Sequence, residues 1–345
     1  KCFNPGGKIA TPNIDGLAAG GMMFTDAHSS SAVCTPSRYS ILTGRYPWRS
    51  RLQKDALWGY APHLIDPARL TVASFLKNNG YFTACVGKWH LGMDWIVSQS
   101  PSKDSLHFLR PVSGNPLIKT GWEVDYSKPV RNGPNSAGFD YFYGISASLD
   151  MPPFVFIEND RTVEIPSVVK TFFRPGPAGE HFDAVNVLPA VVKKTQEIIV
   201  SKAASNTPFF IYMAMPSPHT LIVPDADFKG KSGVTDYGDY VMETDWGVGQ
   251  VMKTLDSLGI GGNTLVFFSS DNGFAPYVLR QYNVEKAGHF PSYIFRGYKS
   301  DIWEGGHRVP TIVRWPDHIR PGSTCSQFIS LTDFMATCAG LLDKK

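Results

Sequence analysis

The chain contains the run Pro208-Phe209-Phe210-Ile211-Tyr212-Met213-Ala214, which is apolar almost throughout and typical of a strand buried on both faces of a parallel sheet. Residues 188–204, just before this run, have the spacing of an amphipathic helix. A second long helix is predicted at residues 236–258 and a second apolar strand at 263–269. This alternation predicts an α/β fold with a mostly parallel central sheet and helices on both faces.

Shorter elements of both kinds are predicted along the rest of the chain, between breaks made by glycine, proline and asparagine. The predicted helices lie at residues 11–19, 71–79 and 331–342, and the predicted strands at 22–28, 81–86 and 310–315. We find no internal repeat and no shift in composition that would mark a second domain. Residues 1–345 are therefore predicted to form a single domain.

The composition is that of a globular protein of 345 residues, with 43% hydrophobic and 18% charged residues. A net charge of +3 is small for this length, so neither nucleic acid nor an anionic membrane is an expected partner. No apolar run is long enough for a membrane span. The five cysteines are odd in number and irregularly spaced, which argues against a disulfide scaffold or a zinc cluster.

A cysteine stands at the start of a predicted short helix, in the sequence Val33-Cys34-Thr35-Pro36-Ser37-Arg38. Pro36 suits the first turn of a helix, where its missing N–H is not needed, and Thr35 is the predicted N-cap. The Cys34 side chain would then lie near backbone amides and a helix dipole that favour negative charge. Arg38, one turn later, adds a permanent cation suited to an oxyanion. The segment predicts a nucleophile in a site that handles anions.

Four further polar clusters follow predicted strands or lie in loops, where open α/β sheets bind their ligands. They comprise Lys88 with His90, then His219, then Asp271-Asn272-Gly273, and finally Lys299 with Trp303-Glu304-Gly305-Gly306. Carboxylate and amide oxygens suit a hard divalent cation. Lysines and histidines from several loops suit a doubly charged tetrahedral oxyanion. An ordinary thiol beside such an oxygen site is chemically mismatched.

Each of these features has a simpler interpretation when it is taken alone. A lone cysteine such as Cys34 is most often a small buried apolar residue. The sequence Asp271-Asn272-Gly273 is more often a turn than a metal site. Lys299 alone would be a surface residue, and the glycines after Glu304 permit a tight loop. Only their combination in one chain favours a functional site.

The chain resembles the sulfatase family of the alkaline-phosphatase superfamily. The family pattern Cys-x-Pro-Ser-Arg, followed by Leu-Thr-Gly-Arg, is matched by Cys34-Thr35-Pro36-Ser37-Arg38 and Leu42-Thr43-Gly44-Arg45. The four polar clusters match the family in the same order, and the similarity extends over residues 11–341. The resemblance implies an alkaline-phosphatase-like fold and the hydrolysis of sulfate esters.

The resemblance also implies a cofactor and a modified residue. A maturation enzyme would convert Cys34 to formylglycine, whose hydrate supplies the oxygen nucleophile that attacks sulfur. This conversion removes the mismatch, because an aldehyde hydrate is a hard oxygen ligand. Asp271, Asn272 and the modified Cys34 would then ligate Ca²⁺, which acts as a Lewis acid and orients the substrate.

The remaining matched residues receive roles from the same resemblance. Arg38 and Lys88 would hold the formylglycine and neutralise charge. His90 would act as the base when sulfate is expelled. His219 and Lys299 would bind the sulfate group and assist the leaving oxygen, with His219 as the general acid.

One departure from the family pattern concerns the metal site. The family also uses two adjacent aspartates at the end of the first strand. Here no Asp-Asp pair precedes Thr11-Pro12-Asn13-Ile14-Asp15, the segment that normally follows them. We therefore expect residues 1–345 to be a sulfatase catalytic domain that lacks this first strand and the small C-terminal subdomain.

The expected substrate is a sulfated carbohydrate or an aryl sulfate. Residues 93–137, interpreted as a long surface excursion, are predicted to shape the pocket together with residues 150–154, His289 and His307. Two alternatives stay open: a phosphonate or phosphodiester hydrolase of the same superfamily, and a non-catalytic binder of sulfated glycans. The family resemblance implies a periplasmic or secreted location.

Overall fold

The computed structural model describes residues 1–98 and 120–344. The chain forms two compact units. Unit 1 comprises Lys1–Pro47, Gln196–Asn206 and Ile222–Lys345, and unit 2 comprises Trp48–Thr195 and Thr207–Leu221. Within the described residues, no helix is both long enough and apolar enough to cross a membrane.

The described residues contain helices and strands in an α/β arrangement. The helices are α1 (Pro12–Ala19), α2 (Cys34–Thr43), α3 (Val72–Asn78), α4 (Val187–Ala204), α5 (Asp236–Ser257), α6 (Pro276–Tyr282), α7 (Glu304–His307) and α8 (Asp333–Leu341). The strands are β1 (Met22–Phe24), β2 (Ala27–His28), β3 (Phe82–Lys88), β4 (Tyr141–Ile145), β5 (Ile157–Glu158), β6 (Arg161–Thr162), β7 (Val168–Phe172), β8 (Arg174–Ala178), β9 (Phe209–Ala214), β10 (Val266–Phe268), β11 (Thr311–Arg314), β12 (Ser323–Cys325) and β13 (Ile329–Ser330). All five longer helices predicted from periodicity are confirmed as α1, α3, α4, α5 and α8.

Unit 2 is built on a five-stranded sheet with the order β6-β5-β4-β3-β9. Its centre is parallel, because β3 pairs in parallel with β4 on one side and with β9 on the other. Gly87 of β3 lies opposite Gly144 and Ala214 in these two ladders. A Cβ at Gly87 would lie 2.1 Å from the Ala214 carbonyl oxygen, so only glycine fits there. The carboxyl ends of the three strands share one edge of this sheet, where the residues that follow them are collected.

Unit 1 contains a four-stranded sheet with the order β10-β11-β1-β12 and a two-stranded sheet of β13 and β2. In the larger sheet, β11 runs antiparallel to both β10 and β1, whereas β12 is parallel to β1. In unit 2, β5 and β6 are also antiparallel to their neighbours. The α/β class is therefore confirmed, but a mostly parallel sheet is not. An apolar run indicates a buried strand without indicating the direction of its neighbours.

The strand predicted at residues 22–28 is divided in the structure. β1 belongs to the four-stranded sheet and β2 to the two-stranded sheet, with Thr25 and Asp26 between them. The Thr25 amide donates to the Cys325 carbonyl oxygen at 3.0 Å, and the Ile329 amide donates to the Asp26 carbonyl oxygen at 3.0 Å. These two bonds carry the chain from one sheet to the next across the polar pair Thr25-Asp26.

The start of α1 is capped from another helix. Thr11 occupies the N-cap position, but its side chain makes no capping hydrogen bond to α1. The Asp245 carboxylate of α5 instead accepts from the backbone amides of Asn13 at 3.1 Å and Ile14 at 2.8 Å. A buried carboxylate from a distant part of the sequence thus satisfies the helix terminus, which local sequence signals do not reveal.

The long surface excursion predicted at residues 93–137 is wrong for the part that is described. Trp95 and Tyr126 are buried, and the Tyr126 hydroxyl lies 2.7 Å from the Tyr60 hydroxyl. Burial raises the pKa of Tyr126 far above its usual range. Residues 99–119 lie outside the described residues. Single aromatic residues at irregular spacing gave no periodic signal, yet they anchor this segment in unit 2.

Candidate active site

The predicted nucleophile lies in the first turn of α2. The helix begins at Cys34 with the extended residue Val33 as its N-cap, so the prediction of Thr35 as N-cap is wrong. Pro36 is accommodated because amides of the first turn have no intrahelical acceptor. Cys34 is 3% exposed and Arg38 is 6% exposed. Since Arg38 follows Cys34 by four residues, both lie on the same face of α2.

Arg38 is bound to the loop that follows β10. Its Nε donates to Asp271 Oδ2 at 2.8 Å, and both side chains are largely shielded from solvent. Asn272, the next residue, donates from Nδ2 to the Gly273 carbonyl oxygen at 2.9 Å. Its Oδ1 is buried and has no hydrogen-bond partner among the described residues.

The donor set of this loop fits a hard cation. Asp271 offers carboxylate oxygens, and Asn272 offers a buried amide oxygen that a cation would satisfy. The Cys34 thiol is a soft donor and does not fit such a site, whereas an oxygen-bearing derivative of Cys34 would. Asp271 and Asn272 therefore match a hard cation such as Ca²⁺ as they are, whereas Cys34 would match it only after modification.

Backbone hydrogen bonds join the Lys299 segment to two other segments of unit 1, the loop after β10 and the residues before α2. Its amide donates to the Phe274 carbonyl oxygen at 2.7 Å, just beyond Asn272. The next amide, that of Ser300, donates to the Ala32 carbonyl oxygen at 2.9 Å, two residues before Cys34. Unit 1 thus gathers the predicted residues Cys34, Arg38, Asp271, Asn272 and Lys299.

Glycines set the spacing of these loops in unit 1. The Gly273 amide donates to the Gly306 carbonyl oxygen at 2.8 Å. A Cβ at Gly273 would lie 1.8 Å from the Gly305 carbonyl oxygen, and a Cβ at Gly305 would lie 2.0 Å from that of Gly297. Three segments are therefore stacked backbone against backbone. The tight-loop interpretation of Trp303-Glu304-Gly305-Gly306 is wrong, because Glu304–His307 form the short helix α7, but its glycines do allow the close backbone approach that supports the loop carrying Asn272.

In unit 2, Lys88 and His90 lie where β3 ends. Both are 1% exposed. The His90 amide donates to the Ser146 carbonyl oxygen at 2.9 Å, and its Nε2 lies 2.7 Å from the Leu57 carbonyl oxygen. Because a carbonyl oxygen only accepts, Nε2 must carry a proton, and Nδ1 is then the basic nitrogen of a neutral His90 ring.

His219 lies after β9, at the same edge of the unit 2 sheet. Its Nδ1 is 2.6 Å from the Thr220 carbonyl oxygen and 4.0 Å from Asp150 Oδ1. Asp150, in the loop after β4, is 5% exposed. Arg174 Nη1 donates to Asp150 Oδ2. The sequence placed Asp150 only in a pocket-shaping loop and missed its pairing with His219, because β4 was not predicted.

His289 was predicted to shape the pocket, and the structure shows how it is held. It is 8% exposed, and its Nδ1 accepts from the Lys8 amide at 3.1 Å. Burial lowers the pKa of His289. These contacts join the N-terminal segment to the loop after α6, and a role in the pocket stays a prediction.

His307, the other predicted pocket residue, belongs to a cluster with His28 and Glu304. One ligand atom from each of these three lies within 4.8 Å of the others, a spacing that could hold a metal ion. The Arg308 guanidinium, however, donates to Glu304 at 2.7 Å and lies 3.1 Å from Asp26. Since a cation already compensates these carboxylates, we assign no metal to the cluster.

The predicted site residues thus fall into two groups, one within each unit. Unit 1 holds the predicted nucleophile, the predicted calcium ligands and one lysine. Unit 2 holds Lys88, His90 and His219 at one sheet edge, with Asp150 beside His219. The chemical roles of these residues stay predictions.

Comparison with known proteins gives a consistent family match. The family model described as Sulfatase matches residues 3–344. An N-acetylgalactosamine-6-O-sulfatase of Bacteroides thetaiotaomicron is 35% identical over 377 aligned residues, covering 97% of this chain and 68% of that protein. A steryl-sulfatase of Rattus norvegicus is 32% identical, covering 96% of this chain and 63% of that protein.

Solved structures agree with this match. A Bacteroides thetaiotaomicron structure, described with the metabolism of multiple glycosaminoglycans, has a TM-score of 0.83 and 31% identity, covering 98% of this chain and 73% of that chain. A phosphonate monoester hydrolase of Silicibacter pomeroyi has a TM-score of 0.58 and 16% identity, covering 98% and 69%. The second likeness concerns the fold alone.

Proposed function

Because the chain belongs to the sulfatase family, we propose that the protein hydrolyses sulfate esters. The observation that carries this proposal is the arrangement in unit 1, where Cys34 and Arg38 share a helix face and Arg38 binds Asp271 next to Asn272. The chain spans 63% and 62% of the length of two steryl-sulfatases that it matches, so the activity is proposed for the whole protein.

The nucleophile is proposed to derive from Cys34. A maturation enzyme that recognises Cys34-Thr35-Pro36-Ser37-Arg38 would convert it to formylglycine, whose hydrate provides an oxygen nucleophile for sulfur. The position in the first turn of α2 supports this, because the helix dipole and Arg38 both stabilise negative charge there. The buried Arg38–Asp271 ion pair keeps the guanidinium in a fixed orientation.

Calcium is the cation that the oxygen donors favour. Asp271 and Asn272, with the oxygen-bearing derivative of Cys34, would hold it, and bound Ca²⁺ would act as a Lewis acid that also orients the sulfate. The buried Asn272 Oδ1, without a hydrogen-bond partner among the described residues, supports this assignment.

The other residues are proposed to bind the sulfate group and to transfer protons. Lys88 and Lys299 would neutralise the sulfate oxygens. His90, whose proton on Nε2 is held by the Leu57 carbonyl, would accept a proton at Nδ1 as the base of the expulsion step. His219 would give a proton to the leaving alcohol oxygen.

A sulfated sugar is the first substrate class to test. The relative named N-acetylgalactosamine-6-O-sulfatase is 35% identical to this chain, which favours sulfated amino sugars over the steryl and aryl sulfates named for other relatives. The proposed location, the periplasm or the cell exterior, follows the family resemblance.

The proposed nucleophile is tested on the whole protein expressed with a formylglycine-generating enzyme. Mass spectrometry of the peptide that contains Cys34 should find an aldehyde, and Cys34→Ala should abolish sulfate release while Cys325→Ala retains it. An unmodified thiol in a preparation that releases sulfate would contradict the proposal. Faster turnover of an aryl phosphonate than of any sulfate ester would instead favour the superfamily alternative.

The calcium assignment is tested by metal removal and by melting. Chelation should abolish sulfate release, and added Ca²⁺ should restore it. Ca²⁺ should also raise the melting temperature of the unaltered protein, but not that of Asn272→Leu, with Asn263→Ala as the exposed control. Equal calcium shifts in all three proteins would exclude Asn272 as a ligand.

A further inference from the structure

We propose that Asp150 is the positioning residue for His219: its carboxylate, 4.0 Å from Nδ1, favours the protonated ring, so that Nε2 can give a proton to the leaving oxygen. This inference rests on the proposed sulfate-ester hydrolysis. In the step concerned, the nucleophile's bond to sulfur forms as the ester S–O bond breaks. The electron pair of that bond goes to the leaving oxygen, which takes the proton from His219 Nε2.

The strand order of unit 2 brings the two residues together. β4 and β9 flank β3 on opposite sides and run parallel to it. Asp150 follows β4 and His219 follows β9, so both lie beyond the same edge of the sheet. Their closest approach is the 4.0 Å between Asp150 Oδ1 and His219 Nδ1.

The surroundings of the His219 ring settle which nitrogen would act. Nδ1 faces two oxygens, the Thr220 carbonyl at 2.6 Å and the Asp150 carboxylate at 4.0 Å. A carbonyl oxygen and a carboxylate oxygen only accept, so Nδ1 carries a proton. The proton that can be transferred is then the one on Nε2. A carboxylate on the Nδ1 side stabilises the doubly protonated ring, as a nearby opposite charge does in general.

Asp150 is held in the orientation that this role requires. Arg174 Nη1 donates to Oδ2 and also lies 3.3 Å from the Asp150 backbone oxygen. The guanidinium carbon of Arg174 lies 4.8 Å from the centre of the Trp58 ring and 5.0 Å from that of Phe173. Arg174 thus contacts two aromatic rings as well as the carboxylate, and these contacts favour one orientation of the ion pair.

The other carboxylate oxygen is left for His219. Oδ1 of Asp150 is buried and accepts no hydrogen bond from any described residue. A buried carboxylate oxygen without a donor is unfavourable unless a charge nearby compensates it. Among the described residues, the ion-pair partners of Asp150 are Arg174 on the Oδ2 side and His219 on the Oδ1 side. A protonated His219 supplies the missing compensation.

The test compares Asp150→Asn with the unaltered protein on two substrates in the maturated, calcium-loaded whole enzyme. Nitrophenolate is a stable anion that leaves without being protonated, whereas the oxygen of a sugar alcohol needs a proton to leave. We expect the turnover number for a sugar sulfate to fall roughly 10- to 100-fold, and that for 4-nitrophenyl sulfate less than about threefold. The alkaline limb of the sugar-sulfate pH profile should move to lower pH by about one unit.

The ratio of the two activities protects the test against misfolding, because a smaller folded fraction lowers both equally. Glu164→Gln is the matched control, since Glu164 forms a histidine–carboxylate pair with exposed His181 in the same unit. It should leave both activities and the pH profile unchanged.

Two results would overturn the inference. Equal losses on both substrates with an unchanged pH profile would make Asp150 a structural residue, and no loss on either would remove it from the mechanism. If the unaltered enzyme released no sulfate from either ester, the proposed function itself would fail.

Discussion

Two buried carboxyl groups in different units, Asp150 and Glu243, differ sharply in their surroundings. Asp150 is 5% exposed and Glu243, in the middle of α5, is fully buried. Each has one oxygen without a hydrogen-bond partner among the described residues. By burial alone the two groups would be expected to behave alike.

Their neighbours make them opposites. Asp150 lies between the Arg174 guanidinium and the His219 imidazole. Glu243 accepts a hydrogen bond from the Asp225 amide at 2.9 Å and has the Asp225 carboxylate nearby, with no cation paired to it among the described residues. Burial, helped by that second negative charge, raises the pKa of Glu243 to about 7. A buried carboxylate beside cations can serve chemistry, whereas one without them takes up a proton and acts as part of the core.

Removing the cation beside Asp150 should cause the largest change in the free energy of unfolding. Arg174→Met leaves a buried carboxylate without its guanidinium and should lower the free energy of unfolding by about 2 kcal/mol, measured by urea denaturation at pH 7. Arg161→Met, at an exposed position, is the control. Adding Asp150→Asn to Arg174→Met should recover part of the loss, and a further loss would contradict the charge argument.

Glu243→Gln should change the free energy of unfolding by less, and should raise it rather than lower it. Its folded pKa lies above the ordinary value of 4.5, so the native state retains a proton that the unfolded state loses, and stability falls as pH rises from about 4.5 to 7. Glu243→Gln should remove this loss. Its gain in unfolding free energy should be about 1–2 kcal/mol larger at pH 8 than at pH 5. Thermal and urea unfolding at both pH values measure it.

Glu180→Gln, an exposed substitution, should show no such dependence on pH. A Glu243→Gln protein with the same pH dependence as the unaltered one would mean that burial does not raise the pKa of Glu243.

The smallest effect is expected at the tyrosine one turn before Glu243. The Tyr240 hydroxyl is buried without a hydrogen-bond partner among the described residues. Tyr240→Phe should therefore raise the unfolding free energy slightly, by up to about 1 kcal/mol. Tyr60→Phe is the matched comparison, because the Tyr60 hydroxyl bonds to that of Tyr126 at 2.7 Å, and it should lower stability by about 1 kcal/mol. Equal effects at both positions would contradict this account.

The sequence was informative wherever a local pattern determines the structure. Periodicity located the longer helices, including α4 and α5. The spacing of Cys34 and Arg38 placed both on one helix face. The oxygen-rich sequence after β10 indicated the candidate cation ligands Asp271 and Asn272, one of which has an orphaned buried oxygen.

Features that depend on distant parts of the chain were missed. The antiparallel pairing of β11 with β10 and β1 leaves no trace in hydrophobicity. The cap of α1 comes from Asp245, more than 200 residues away. Asp150 was noticed only as part of a loop, since its contact with His219 requires β4 and β9 to flank the same strand. All three features depend on tertiary contacts, which a single sequence does not show.

The stacked glycines of unit 1 bear on how this protein could be re-engineered. Gly273, Gly305 and Gly297 leave no room for a Cβ. The loops that carry Asn272 and Lys299 therefore lie as close to their neighbours as direct backbone contact allows. A library aimed at new substrates should hold these three positions constant. Its diversity belongs at exposed side chains outside these loops, where a change of size leaves that spacing untouched.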